Sequence, residues 1–280
     1  MRNLFLALVM TGWALGSATA ADLRSGVNTV RPRPPEQGDA TANGGGQARK
    51  SIPADATEVR FYGQAFLYLT TSSGVRIAFN PFGGDAPTGY EFPDALPADI
   101  VLISAESPDL SASEGFTGLP QIFRSLTGLG ANNANGIAFR GVATSRDADG
   151  QRHSRANTVY VLELDRVVFC NLGAIGRPLD QRQARAIGGA DVLFLPVGNR
   201  NVSVADLWKI VGQTRAKWVV PVLYRTARST PAYVELRTLD EFLSAPESSA
   251  YPRVRLESND YVFTYKELPP EATLLLFQSP

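Results

Sequence analysis

From residue 57 onward, short apolar runs alternate with polar stretches rich in Gly and Pro. The runs at 59–61, 66–70, 75–79, 100–103, 158–164, 167–170, 192–195 and 219–221 predict strands. Helical patterns intervene at 180–187 and 204–214, where Ser203 stands as an N-cap, and another helix opens at 240–243. Segment 111–135 is rich in small residues and predicts a short helix followed by a loop. The run A-T-L-L-L-F at 272–277 predicts either a last core strand or a patch that docks on something. Together these elements predict one α/β domain over 57–280, long enough to bury a sizeable core.

The first 56 residues follow a different pattern. Met1, Arg2 and Asn3 precede an uncharged run over 4–21, which ends in A-T-A before Ala21 and Asp22. A basic start, an apolar stretch and an A-x-A site mark a secretory signal peptide. No cysteine follows, which excludes a lipoprotein signal. The run also lies at the lower edge of what crosses a bilayer of ~30 Å as a helix. Segment 1–21 is therefore expected to be either a cleaved signal or an uncleaved anchor, and Arg2 favours a cytoplasmic N-terminus in the second case. Residues 22–56 carry R-P-R-P-P and then G-D-A-T-A-N-G-G-G-Q, with few sizeable apolar side chains. Such composition predicts an extended, Pro/Gly-rich arm. It serves either as a plain tether or as a segment ordered along a partner through Arg24, Arg31 and Arg33.

Charge and the rarer residues narrow the chemistry. The 27 basic and 27 acidic residues cancel, and no basic stripe stands out, so nucleic acid is excluded as the expected partner. No phosphate-cradling glycine loop and no G-x-S-x-G elbow is present. Cys170, the only cysteine, lies in the apolar run 167–170 and is expected to be a small buried thiol. His153, the only histidine, sits in a polar run and is expected to be a solvated loop residue.

Five blocks of sequence carry a resemblance to a known family. They are G-Q-A-F-L at 63–67 followed by V-R-I-A-F-N-P at 75–81, S-A-E-S-P-D-L at 104–110, the stretch 141–160 from G-V-A-T-S-R-D to N-T-V-Y, F-C-N-L-G-A-I-G-R at 169–177, and V-V-P-V-L-Y at 219–224. In order and spacing they resemble the metallo-β-lactamase fold family, in particular its lactonase-like metal-dependent hydrolases. The resemblance spans the whole of 57–280. It implies a four-layer αββα sandwich of two mixed sheets with outer helices. It also implies that the metal ligands of the family would fall at Ala105, Ser107, Asp109, Leu110, Arg146, Ala174 and Leu223. Gln64 and Asn171 likewise stand where the family usually has histidines.

That set cannot do the family's chemistry. A catalytic metal needs about three protein ligands per ion, and it makes a nucleophile of water by lowering its pKa from about 15.7 to roughly 7. One carboxylate, two alanines, two leucines, a serine and a guanidinium do not coordinate zinc, and the fixed charge of Arg146 repels a divalent ion. With a single histidine in the chain, no shift of register restores the ligands. The expected protein is a metal-free pseudoenzyme without a cofactor. Asp109, Arg146, Asp147 and Arg177, with Glu106 beside them, are expected to converge in the vacated cleft. Either Arg146 pairs with Asp109 or Asp147 and fills the site, or the spare donors form an anion pocket.

Three functions remain open from the sequence. The first is an exported, periplasmic accessory subunit of a membrane-associated protein complex, held at the inner membrane if 1–21 is retained. The second is a periplasmic binding module for an anionic small molecule. The third is a metal-independent hydrolase. An ion-paired, filled cleft would favour the first, and a cavity with unpaired arginine would favour the second.

Overall fold

The computed structural model describes residues 52–84, 86–147 and 156–280. In chain order these give strands β1 (Ala56–Gly63), β2 (Phe66–Thr70), β3 (Arg76–Phe79), β4 (Leu96–Pro97), β5 (Ile100–Leu102), β6 (Phe116–Thr117), β7 (Gln121–Phe123), β8 (Gly130–Ala134), β9 (Ile137–Ser145), β10 (Ala156–Leu164) and β11 (Val167–Asn171). Helix α1 (Gln181–Ile187), β12 (Val192–Pro196), α2 (Val204–Thr214), β13 (Trp218–Val222), α3 (Leu239–Leu243), α4 (Pro246–Ser249), β14 (Arg253–Arg255), β15 (Asp260–Thr264) and β16 (Thr273–Leu276) follow.

One sheet has the order β15-β1-β2-β3-β5-β7 and the other β14-β16-β13-β12-β11-β10-β9-β8, with β4 and β6 as a separate small ladder. Strands β8 to β11 run antiparallel, with two-residue connections from β8 to β9 and from β10 to β11, whereas β11, β12, β13 and β16 run parallel. Parallel neighbours need a crossover, and α1 and α2 supply the steps from β11 to β12 and from β12 to β13. In the first sheet β1 pairs with β15 from Ala56↔Thr264 to Arg60↔Asp260, which joins the two ends of the domain. Side-chain caps open three of the four α-helices among the described residues. Asp180 accepts from Gln183 N at 2.7 Å to open α1, Ser203 Oγ accepts from Asp206 N at 3.0 Å to open α2, and Thr238 Oγ1 accepts from Glu241 N at 3.1 Å to open α3.

Side chains along the first sheet alternate between two buried faces. Leu67, Leu69, Ile77, Phe79, Ile100 and Leu102 point into the core shared with Tyr160, Phe169 and Phe194 of the second sheet. Phe66, Ala78, Val101 and Ile103 point the other way. The resemblance implies helices over that outer face. Among the described residues every helix follows β11, and aromatic side chains cover the face instead. Phe66 stacks on Phe92 at 5.6 Å and meets Phe82 and Phe116 edge-on at 5.5 and 6.1 Å. The mixed α/β sandwich expected from the sequence is thus present, with an aromatic layer on one side.

One local expectation is overturned and one open alternative is resolved. Segment 111–135 forms no helix. It runs through β6 and β7 and a turn into β8, because Gly115, Gly118, Pro120, Gly128 and Gly130 break a helix and β7 pairs with β5. The run at 272–277 is settled as a core strand: Thr273–Leu276 is buried throughout and pairs with β13 and β14. The apolar run 4–21, almost all of the 22–56 arm and His153 lie outside the described residues. Among the described residues, no helix is long and apolar enough to cross a membrane.

Because Phe66 is fully buried in the aromatic layer, Phe66→Ala is expected to lower the unfolding free energy by about 3–5 kcal/mol. Urea denaturation reads this directly, and a loss below ~1 kcal/mol would mean that the layer is not closely packed.

Candidate functional site

Strands β3, β5, β10 and β11 end side by side, and a set of amides fastens their ends. Asn80 follows β3 in the left-handed region, with φ 46°, and its Oδ1 accepts from Ser104 N at 2.8 Å beyond β5. Its Nδ2 donates to Asn171 Oδ1 at 3.4 Å, and the same oxygen accepts from Gly173 N at 2.7 Å. Asn157, at the start of β10, uses every polar atom of its side chain. Nδ2 donates to Thr144 Oγ1 at 2.7 Å and Leu172 O at 2.9 Å, and Oδ1 accepts from Ala174 N at 2.8 Å. Between these contacts Gly173 holds φ 64°, and a Cβ there would lie 2.4 Å from Ser104 Oγ and from Asn157 Oδ1. Only glycine fits that turn.

Above the amides lies a cavity of about 230 Å³. Leu110, Ala174, Leu223 and Leu236 give it apolar walls, and Asp109, Arg146, Asn199, Asn201 and Tyr233 bring polar groups. Asp109, Leu110, Arg146, Ala174 and Leu223 come from four separate segments of chain, and each stands at a position that the family resemblance assigned to a metal ligand. The fold brings these five together. Ala105 is fully buried beside them, and Ser107 Oγ donates to Asp109 Oδ1 at 2.6 Å.

The expected Arg146–Asp109 ion pair is absent among the described residues. Asp109 is satisfied locally by the serine two positions before it, and the half-buried Arg146 guanidinium has no hydrogen-bond or ion-pair partner there. Glu106 does not join the cavity, because it pairs outward with Arg124 at 2.9 Å. Arg177 and Asp147 are not part of the lining either. Both stay close to Arg146 through the backbone: Gly176 N donates to Ser145 O at 2.8 Å, and Asp147 N donates to Ser145 Oγ at 3.0 Å.

Several residues of this site carried no signal in the sequence. Tyr233 ends a short 3-10 turn, Pro231–Tyr233, and its hydroxyl is pushed up to about 12, first by burial and then by the Asp109 carboxylate. Asn199 ties two loops together, accepting from Asn201 N at 3.0 Å and donating to Ile175 O at 3.2 Å. Asn80 was legible only as the residue before Pro81 in the matched hairpin. Both amide atoms of Gln64, Ser104 Oγ and Asn171 Nδ2 are buried without partners among the described residues. Each such group destabilises the fold by about 1–3 kcal/mol unless solvated.

The donor set does not fit a divalent metal. Two of the seven positions hold alanine and two hold leucine, and Arg146 brings a permanent positive charge into the space an ion would take. Cys170 offers no alternative nucleophile. It is fully buried, and burial pushes its thiol up to about 12.

Comparison with known proteins agrees with the geometry. Residues 58–223 match the family described as the beta-lactamase superfamily domain, and the chain belongs to that superfamily. Among solved structures it is similar to a protein of Thermotoga maritima assigned as a Zn-dependent hydrolase of the metallo-β-lactamase superfamily. Identity is 24% and the TM-score 0.62, over 80% of this chain and 100% of that one. It is also similar to a metallo hydrolase of the archaeon Ignicoccus hospitalis, with 17% identity and a TM-score of 0.51, over 75% of this chain and 99% of that one. No curated protein matches it significantly.

Two outcomes follow from the packing of the site. Gly173→Ala forces a side chain into the amide contacts and is expected to destabilise the protein by about 1–3 kcal/mol, read as a lower midpoint in urea. An unchanged midpoint would mean that the turn tolerates a Cβ. Cys170 is expected to resist alkylation by iodoacetamide at pH 8 in the native protein and to react after unfolding. Rapid native labelling would show that the strand opens.

Proposed function

We propose that this chain is a non-hydrolytic member of the superfamily that works by binding, with a small polar molecule held in the cavity at the former metal site. The observation that carries this reading is the convergence of Asp109, Leu110, Arg146, Ala174 and Leu223 on one cavity whose arginine has no partner among the described residues. A filled, ion-paired cleft would have argued for a purely structural body. Among the described residues, the alanines, leucines and guanidinium at the matched positions are not ligands for a cation that would bring the pKa of a water molecule near neutrality. The lining therefore offers recognition: a cation, a carboxylate, a hydroxyl and two amides around an apolar floor.

A second reading is supported by a different surface. Leu119, Ile122, Leu126 and Leu129 are 97%, 41%, 67% and 37% exposed, on and beside the edge strand β7. Clustered exposed apolar side chains at an unpaired sheet edge suit a protein partner. With residues 1–21 as export signal or anchor, the protein would then act as a periplasmic accessory subunit of a membrane-associated complex.

Elemental analysis of the purified full chain, with hydrolysis assays on lactones, β-lactams and phosphodiesters, tests the first reading. No stoichiometric zinc and no turnover are expected. One or more tightly held zinc ions per chain, with metal-dependent hydrolysis, would overturn it. For the second reading, Leu119→Asp combined with Leu126→Asp should release any protein that co-purifies from native membranes. Retention of that protein by the variant would exclude this edge as the contact.

A further inference from the structure

We infer that the ligand of the cavity is a small aliphatic zwitterion, an amino acid or a short amino carboxylate, whose carboxylate meets Arg146 and whose ammonium meets Asp109. This rests on the binding reading above and adds the chemical class. Three polar groups with unused hydrogen-bonding capacity among the described residues face one small space. The Arg146 guanidinium has no partner among the described residues, Asp109 uses only Oδ1, for Ser107, and the Tyr233 hydroxyl makes no hydrogen bond there. Opposite charges lining one cavity without pairing leave two separated sites of opposite sign. A guanidinium takes a carboxylate through two parallel N–H donors, and a free carboxylate oxygen takes an ammonium.

Charge balance selects among ligands. A phosphate or dicarboxylate satisfying Arg146 would also face the negative charge of Asp109. A simple amine satisfying Asp109 would face Arg146. A zwitterion meets both with attraction and brings no net charge into a half-buried space. The carboxylate of Asp109 is electrostatically effective inside the cavity, because it helps to hold the Tyr233 hydroxyl in its protonated form. Size points the same way, since about 230 Å³ falls below the ~300–1,000 Å³ of sites for drug-sized ligands. Leu110, Leu223 and Leu236 give the remaining wall the character of a seat for an aliphatic side chain.

The test is calorimetric titration of the full chain with the series from glycine to L-leucine and with 4-aminobutanoate, alongside inorganic phosphate and glycerol. The best zwitterion is then compared with its analogues lacking the amino group or the carboxylate, L-valine for example with isovalerate and isobutylamine. Each truncated analogue is expected to bind about tenfold or more weakly, because a charged group is left without its partner. Arg146→Gln should remove the advantage conferred by the carboxylate and Asp109→Asn that conferred by the ammonium. Arg146→Lys should restore part of the first, and melting curves check that each variant folds. If phosphate, glycerol or a truncated analogue binds as well as the zwitterions, and Leu223→Trp abolishes that binding by filling the cavity, the assigned class is wrong and the binding reading stands. If no probe binds, or binding survives Leu223→Trp, both are overturned.

Discussion

The site depends on backbone amides at strand ends that are buried and must still be hydrogen-bonded. Where β3, β5 and β11 stop, the N–H groups of Ser104, Gly173 and Ala174 have left their ladders and cannot reach water. Asn80, Asn171 and Asn157 supply the missing acceptors. A neutral amide suits this task because it accepts and donates at once, so a few side chains can bind several loops without burying a charge. The loops so fixed carry Ala174 and Asp109 to one place, and the cavity is shaped by that fastening.

This separates the scaffold of the site from its chemistry. Asn80, Asn157 and Asn171, which fasten the strand ends, are not among the residues lining the cavity. Ligand positions can therefore be occupied by Ala174, Leu223 or Arg146 without collapse of the surrounding turns. Two further positions are less settled. The resemblance places Gln64 and Asn171 at positions of family histidines, and both polar side-chain atoms of Gln64 are buried without a partner among the described residues. The cavity walls mix Leu110, Ala174, Leu223 and Leu236 with charged and amide side chains.

Much of the fold was legible because its signals are local. Apolar runs marked β2 and β3, the helical pattern from 180 marked α1, and Ser203 marked the start of α2 through a hydrogen bond within four residues. Where burial depends on distant partners, the pattern failed. Strand β9 carries Arg140 and Gly141 in its middle and reads as loop, yet it pairs along its length with β8 and β10. The stretch 111–135 looked helical in part only because its pairing with β5 leaves no local trace. In the site, the motif frame located Asp109, Leu110, Arg146, Ala174 and Leu223. It could not show that Asp109 would take Ser107 as its partner, nor that Tyr233 would arrive from a turn with no motif of its own.

The pairing of β1 with β15 has a consequence in time. Ala56 meets Thr264 across about two hundred residues of intervening chain, and β1 lies between β15 and β2. During synthesis the first sheet therefore keeps an open edge until nearly the last strand has emerged. Contacts so distant in sequence slow folding, since loop closure must precede any gain from them. The nascent chain would stay incompletely folded for most of its length, and a truncation that removed β15 would leave β1 as a bare template for pairing with another molecule.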